Sequence, residues 1–459
     1  MVAADFGRIP IAGRSGRRRG DDSVDGWWPT PEPPHRINQL YMEPILFDHA
    51  VSRPTLTLLN DTEVTSIVQR DEGVVAVSEG PGGEVELMAR YLVGCDGGRS
   101  TVRRALGVQM VGDAVVQRVQ STFIEAADLQ PAFESAPAWA TVVLNHTRSG
   151  TAYAIDGRRR WLVHNYLRPH EADFESVDRD AGIKAIAGIP DLDYTVVSHE
   201  DWFGRRLLAE RFRDGRVFLC GDAAHIWVPY AGYGMNAGIA DAADLAWLMA
   251  AVISGWGDAS MLDAYEAERY PITEQVSHHA MDHAEKMIRN REAIPADIDE
   301  PTDEGAATRQ RYGQAMFDLN VAQYACAGLN FGSFYDRSPL VVADGAAPPY
   351  SMGDFTPSSV PGCRVPHFRN PDGSSVLDDL GDGYLVLSSV TDPTELHHWA
   401  SETFASTGVP VTARVASEAD LLWSGVMLVR PDTHIAWRGA ALPAPQLLGA
   451  LAGRREASG

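Results

Sequence analysis

Positive charge, paired cysteines and long apolar runs are what this chain has little of. Its 459 residues carry 39 Lys+Arg against 62 Asp+Glu, a net charge of -23. So acidic a chain is repelled by phosphate backbones and anionic headgroups, and neither nucleic acid nor a membrane is an expected partner. The four cysteines, Cys95, Cys220, Cys326 and Cys363, form no CxxC pair and lie at no metal-ligand spacing with a histidine. A disulfide framework and a metal centre are therefore not expected. Cys95 and Cys220 each end an apolar run and read as small buried thiols. The N-terminus has no apolar signal core, and no run of roughly eighteen uncharged apolar residues follows, so a soluble cytoplasmic protein is expected. The length calls for two or three domains.

What is present centres on Val217–Met249. A strand-length apolar run, Val217 to Cys220, stops at Gly221-Asp222. A loop holding Pro229, Gly232 and Gly234 leads into an Ala-rich helix from Met235, with Ile239, Ala243, Ala246 and Met249 expected on its apolar face. A strand, an acidic turn, a glycine loop and a helix start bring backbone N–H groups and a partial positive charge close to a polar ligand. Alone, the same pattern also fits a purely structural connection.

Earlier in the chain, residues 1–36 read as irregular. Ile37 to Val51 suits a helix with a kink or break at Pro44. Strands are expected at Thr55–Leu59, Glu63–Gln69, Val74–Ser78 and Glu84–Val93, with a hairpin at Gly80-Pro81-Gly82-Gly83. The last strand runs into Asp96-Gly97, with a helix starting near Ser100. Residues 109–203 alternate like an antiparallel sheet, with strands near 140–144, 151–155 and 161–166. Trp161, His164, Asn165 and Tyr166 lie on one of them, where core packing and contact with a ligand are both open. His278-His279 reads as a solvated helix face, 291–312 as an exposed acidic linker, and 309–319 as a helix. Strands near 384–390 and 411–415 and a helix near 393–404 close the chain.

Two strand-ending acidic turns thus lie over a hundred residues apart, Cys95-Asp96-Gly97 and Cys220-Gly221-Asp222. On neighbouring strands they would converge at the carboxyl ends of one sheet, where open α/β sheets bind ligands. The first has Arg99, Ser100 and Arg103 beside it; the second has His225, Pro229, Gly232, Gly234 and Asn236.

LVGCDGGRSTVRRALG and VFLCGDAAHIWVPYAGYGMNAGIADAADLAW resemble the DG and GD motifs of the FAD-dependent aromatic-ring hydroxylases, the flavoprotein monooxygenases that include phenol and polyketide hydroxylases. INQLYMEPIL resembles the segment that places a glutamine near the flavin. LVVADGAAP and RPDTHIAWRG, at 430–439, resemble the C-terminal part of the larger members. The resemblance implies an α/β, or multidomain α+β, fold. Its FAD-binding Rossmann-like domain would take residues 1–108 and 204–345, an inserted antiparallel-sheet substrate domain 109–203, and a thioredoxin-like domain 346–459. It implies FAD as cofactor, NADH or NADPH as co-substrate, and O₂ with an aromatic small molecule as substrates. Hydroxylation of a phenolic or polycyclic ring would proceed through a flavin C4a-hydroperoxide. No protein nucleophile is implied, so no catalytic residue is named. Asp222 would accept from ribityl hydroxyls, with Gly221 shaping the turn. Pro229, Gly232, Gly234, Met235 and Asn236 would lie along the isoalloxazine edge, Asp96 and Gly97 would fix the opposite turn, and Gln39 would approach the ring.

The G-x-G-x-x-G unit that holds a dinucleotide pyrophosphate does not occur in these 459 residues, which reads as an N-terminally truncated FAD domain. The alternative expectation is therefore a flavin-deficient remnant serving as a scaffold; a related flavoenzyme such as a halogenase is a third. The unit at 364–439 lacks a redox CxxC, which points to a structural or oligomeric role, and a homodimer is an assembly open to it.

Overall fold

A strand exists only where another strand completes its ladder, and that condition decides which of the expected strands form. The computed structural model describes residues 6–19, 23–24, 28–113, 115–127, 129 and 136–454. The reading of 1–36 as irregular lies partly outside these residues; within them one short helix, α1 (Arg14–Arg19), appears. Helix α2 (Gln39–Val51) starts at Asn38, whose side chain accepts the Leu40 N–H. It runs through Pro44 without the expected break. None of its residues is buried, and Leu40, Ile45, Leu46 and Phe47 are exposed. Thr55–Leu59, expected as a strand, is an exposed loop: its apolar residues favour extension, but no partner strand lies beside them.

Strands β1 (Glu63–Arg70), β2 (Gly73–Gly80) and β3 (Gly83–Ala89) form an antiparallel meander. Gly80 pairs with Gly83 across the expected hairpin, and Gly83 has a φ of 94° that a side chain would strain. Glu84–Val93 was expected as one strand and is two. The chain breaks at Arg90-Tyr91 because β3 pairs with β2, whereas β4 (Leu92–Gly94) joins a different sheet. Helix α3 (Thr101–Ala105) follows near Ser100 as expected, and the Ser100 side chain caps it.

After β5 (Met110–Gly112), strands β6 (Gln117–Glu125), β7 (Ala140–Val143), β8 (Gly150–Ala154), β9 (Arg160–Tyr166) and β10 (Thr195–Gly204) build one antiparallel sheet in the order β10-β6-β9-β8-β7. Its hairpin tip is held by Asp156, whose Oδ1 accepts the N–H groups of Arg158, Arg159 and Arg160. Helix α4 (Arg179–Ala187) packs Ile183 and Ile186 against Ile124, Trp161 and Val163. Along β9 the alternation divides the four candidate residues: Trp161 and Asn165 are buried on the α4 side, His164 and Tyr166 face the other way.

The chain then adds β11 (Leu207–Ala209), β12 (Arg213–Asp214), β13 (Val217–Leu219) and β14 (His225–Ile226) before three helices, α5 (Tyr233–Ile253), α6 (Asp263–Glu292) and α7 (Asp303–Val321). The acidic stretch expected to be a linker up to residue 312 becomes helix from Asp303. Thr302 caps it, and Asp303 and Glu304 in its first turn complement the positive end of the helix dipole. Helix α5 is long and apolar enough to cross a membrane by composition, yet Asp241, Asp244, Leu245 and Leu248 are buried inside the protein. The face carrying Ile239, Ala243, Ala246 and Met249 is mostly not the buried one: the first three are exposed and Met249 packs partly against the core. The buried face instead carries Leu245, Trp247, Leu248 and Ala251 together with Asp241 and Asp244, which meet Arg269 and Arg430.

A short helix, α8 (Ala327–Phe331), and an irregular segment lead to the last unit. Strands β15 (Tyr384–Ser388), β16 (Val411–Val415), β17 (Val426–Val429) and β18 (Ile435–Gly439) form a four-stranded sheet. Its order is β16-β15-β17-β18, with β15 and β16 parallel and the other pairs antiparallel. Helices α9 (Pro393–Thr407), α10 (Glu418–Leu421) and α11 (Gln446–Leu451) accompany it, in keeping with the expected thioredoxin-like unit. One apolar cluster runs from Leu245, Leu248 and Tyr265 into Tyr384, Val386 and Leu396, so the last unit shares a core with helices α5 and α6.

Trp161 is 1% exposed, and its indole N–H donates to the Ala126 carbonyl at 3.2 Å. Trp161→Ala is expected to destabilise the protein by about 3–5 kcal/mol, read from the denaturant midpoint; a loss below about 1 kcal/mol contradicts the packing described.

Candidate functional site

The two acidic turns are neighbours. Strands β4 and β13 run parallel, with Leu92 opposite Val217, Val93 opposite Phe218 and Gly94 opposite Leu219. The Cys220 N–H continues the ladder to the Gly94 carbonyl at 3.0 Å. Val217, Phe218 and Leu219 are fully buried. Cys220 is buried as expected; Cys95 is exposed, because it has already left the ladder at the open edge of the sheet.

Asp96 does not face outward as a free ligand. It accepts the Ser100 hydroxyl at 2.5 Å and the Val102 N–H at 3.0 Å, and so holds the start of α3. Gly97 turns the chain at a φ of 74°. Arg103, buried, then joins the two motifs: its guanidinium donates to the Ala223 and Gly98 carbonyls, each at 2.9 Å. The second turn is set by close backbone approach. Gly221, at a φ of 58°, lies against Gly238 of α5, and a Cβ on Gly238 would come within 3.3 Å of the Gly221 Cα. Asp222 is exposed at the tip and accepts no hydrogen bond among the described residues.

Asp241 fixes this turn from below. Its Oδ2 accepts from the Gly221 N–H at 3.2 Å and meets His225 Nε2 at 2.6 Å; its Oδ1 accepts from Arg269 Nε at 2.8 Å. Burial alone would raise its pKa, but the Arg269 charge and the His225 contact outweigh it and hold the carboxyl at about 2. Asp241 and Arg269 carry no motif signal of their own. An acid about two turns into an apolar helix, with an arginine later in the chain, was the sequence sign of them.

The loop after the turn is open. Pro229 and Gly232 are exposed, and Gly232, at a φ of 64°, precedes α5 without a side-chain cap. Asn236 turns its amide back to the Gly232 carbonyl at 2.7 Å, and Met235 is half-buried. A Cβ at Gly97, Gly232 or Gly234 would meet nothing within 4 Å. An uncapped helix N-terminus, a glycine-lined face and an unpaired carboxylate fit the ring and ribityl part of FAD: N–H donors for electron-rich edge atoms, Asp222 for hydroxyls. Gln39, exposed at the start of α2, has no hydrogen bond to either turn among the described residues.

Facing this loop is an aromatic wall on the open side of the antiparallel sheet. Tyr153 and His164 have ring centroids 5.1 Å apart, His164 and Trp202 5.8 Å, and Trp139 and Tyr153 5.3 Å. Burial among these rings depresses the His164 pKa to about 4, so its imidazole is neutral near pH 7. Arg291, unforeseen, bridges wall and loop. Its guanidinium lies 4.1 Å from the Tyr166 ring centroid, and Nη1 donates to the Tyr230 hydroxyl at 3.4 Å. Its Nη2 is buried without a hydrogen-bond partner. Next to the wall, a cavity of about 840 Å³ takes in Trp139 and Tyr324 but no residue of either acidic turn. Of His278-His279, expected on a solvated face, His278 is exposed but His279 is half-buried.

A family model described as FAD binding domain matches residues 16–280, and one described as aromatic-ring hydroxylase, C-terminal, matches residues 358–454. Tetracenomycin B2 monooxygenase-dioxygenase of Streptomyces olivaceus is 31% identical, over 86% of this chain and 72% of that protein. Aklavinone 12-hydroxylase RdmE of Streptomyces purpurascens is 31% identical, over 93% and 80%. Among solved structures, the rebeccamycin biosynthetic enzyme RebC with reduced flavin superposes with a TM-score of 0.82 at 28% identity, over 93% of this chain and 80% of that one. A ternary complex of aklavinone-11 hydroxylase with FAD and aklavinone gives 0.75 at 30%, over 91% and 78%.

His164 also yields a pH signature. In the unfolded chain its pKa is near 6.5 and in the fold about 4, so its contribution is complete above pH 6.5 and lost as pH falls toward 4. Between pH 7 and 4, wild type is expected to lose roughly 2–3 kcal/mol of stability relative to His164→Gln. A difference that does not change with pH contradicts a buried neutral imidazole.

Proposed function

We infer the function of this chain from its kinship: it belongs to the FAD-dependent aromatic-ring hydroxylases, and the FAD-binding model alone spans more than half its length. It is accordingly an FAD-dependent monooxygenase. We propose that it consumes NADH or NADPH and O₂ and hydroxylates a phenolic or polycyclic aromatic ring, as a cytoplasmic enzyme. The observation that carries this reading is the in-register pairing of β4 with β13, which sets Asp96-Gly97 beside Gly221-Asp222 under the open start of α5.

Asp222 would hold the ribityl chain. Gly232, Gly234, Met235 and Asn236 would present the amides at the start of α5 to the ring edge, where the helix dipole favours negative charge. Gly221 and the Asp96-Gly97 turn would shape the two sides, with Gln39 and Pro229 as the outlying members. FAD, once bound, would supply the redox chemistry that joins NAD(P)H, O₂ and the aromatic substrate. The protein's own part is position and charge. His164, Tyr166 and Trp202, whose rings meet edge to face, would give an aromatic ring an apolar wall that excludes water. Arg291, with a buried N–H free to donate, would stabilise a phenolate oxygen and so favour the electron-rich form that hydroxylation needs.

Supplying purified chain with FAD and a panel of polycyclic phenols tests the proposal. The expected outcome is one flavin per chain and substrate-stimulated NAD(P)H oxidation with a hydroxylated product. Failure to retain any flavin overturns it and favours a non-catalytic scaffold. Two variants are specific to the geometry. Asp222→Ala is expected to weaken FAD at least about tenfold, the loss of one or two hydrogen bonds to a charged group. Arg291→Met is expected to raise KM for phenols and shift the pH optimum upward, because the phenolate loses its cation; an unchanged pH profile removes Arg291 from this role.

A further inference from the structure

Arg430 lies in the C-terminal unit, at the end of β17, and is fully buried. Its guanidinium is engaged on every side. Nη2 meets Glu268 Oε2 at 2.7 Å and Nη1 meets Glu268 Oε1 at 2.5 Å, a two-pronged pair across the domain boundary. Nη2 and Nε hold Asp432 at 2.6 and 3.1 Å. The ring centroids of Trp247 and Tyr335 lie 4.9 and 5.0 Å from its Cζ. The carboxylates of Asp244, Glu268 and Asp432 are grouped closely enough to hold a metal, but the guanidinium sits among them and supplies the positive charge instead.

The next residue after Glu268 is Arg269, which reaches Asp241 on α5; Asp241 in turn holds the Gly221 N–H and His225. One buried series of ion pairs therefore runs from the C-terminal sheet to the acidic turn that carries Asp222. It passes through adjacent residues of α6, whose backbone transmits any displacement. Asp241 and Asp244 are three residues apart on α5, so both steps of the series grip the same helix whose N-terminus opens on the ring site. Buried pairs hold geometry tightly, since neither partner has water to replace the other.

We propose that Arg430 is a positioning residue for the flavin site: through Glu268, Arg269 and Asp241, the C-terminal unit sets the conformation of the Gly221–Ala223 turn. This rests on reading that turn as flavin-binding, but the coupling itself does not need flavin to be measured. Amide hydrogen exchange of the full chain, followed by mass spectrometry over residues 217–230, is the test. Arg430→Met leaves Glu268 unpaired and risks misfolding, so a second variant removes both charges, Glu268→Met with Arg430→Met, leaving Asp432 paired with His434. Leu387→Ala, in the same sheet but outside the series, serves as the control for general destabilisation.

The expected result is exchange over 217–230 at least about tenfold faster in the double variant than in a Leu387→Ala protein of equal unfolding midpoint, with residues 117–125 unchanged between the two. FAD affinity, titrated by flavin fluorescence, is expected to fall by a similar factor. Equal exchange over 217–230 in the two proteins overturns the proposal. A wild-type chain that binds no FAD overturns the functional reading instead, and the exchange result still decides the coupling.

Discussion

A parallel ladder of three residues on each side, Leu92–Gly94 against Val217–Leu219, is the constraint on which the rest of the site depends. It joins segments more than a hundred residues apart, with a whole antiparallel sheet inserted between them. Closing so long a loop is costly in chain entropy, and a ladder this short cannot offset that by itself. The structure adds three supports. The β13 side chains are buried without exposure, the Tyr265 hydroxyl donates to the Leu219 carbonyl at 2.7 Å, and Arg103 ties the first helix to the second turn. Where these act together, two ordinary acidic turns become one site.

Much of this was legible in the residues, and the parts that were not share a cause. The acidic turns, the helix start near Ser100, the Gly80–Gly83 hairpin and the strands of the inserted sheet were readable because each is set by local chemistry: a turn, a glycine, an alternation. Thr55–Leu59 looked like a strand and is not, because a strand needs a partner that sequence does not announce. The buried face of α5 was misjudged for a related reason. Its alanines blur the apolar periodicity, and the face turned inward, with Leu245, Trp247 and Leu248, also carries Asp241 and Asp244, which meet Arg269 and Arg430 from distant parts of the chain. Arg291 was invisible on the same ground: its role comes from lying between Tyr166 and Tyr230, which no spacing along the chain encodes.

Electrostatics thus does two separate jobs in this protein. Inside, it is structural: an arginine-and-carboxylate series with little water near it orients α5 and α6 against the C-terminal sheet. Burial and the charges of Glu268 and Asp432 push the Asp244 pKa well up. At the surface of the cleft, the proposed function gives it a second job. Asp222 has no competing partner, the α5 N-terminus is uncapped, and Arg291 keeps one N–H in reserve.

The central claim is that the two turns and the start of α5 form one seat for the flavin ring. A crystal structure of this chain grown with FAD tests it most directly. The account predicts a ribityl hydroxyl within hydrogen-bond distance of the Asp222 carboxylate and the ring edge against the Gly232–Asn236 amides. Flavin bound elsewhere, or Asp222 facing solvent with the ring away from α5, would contradict it.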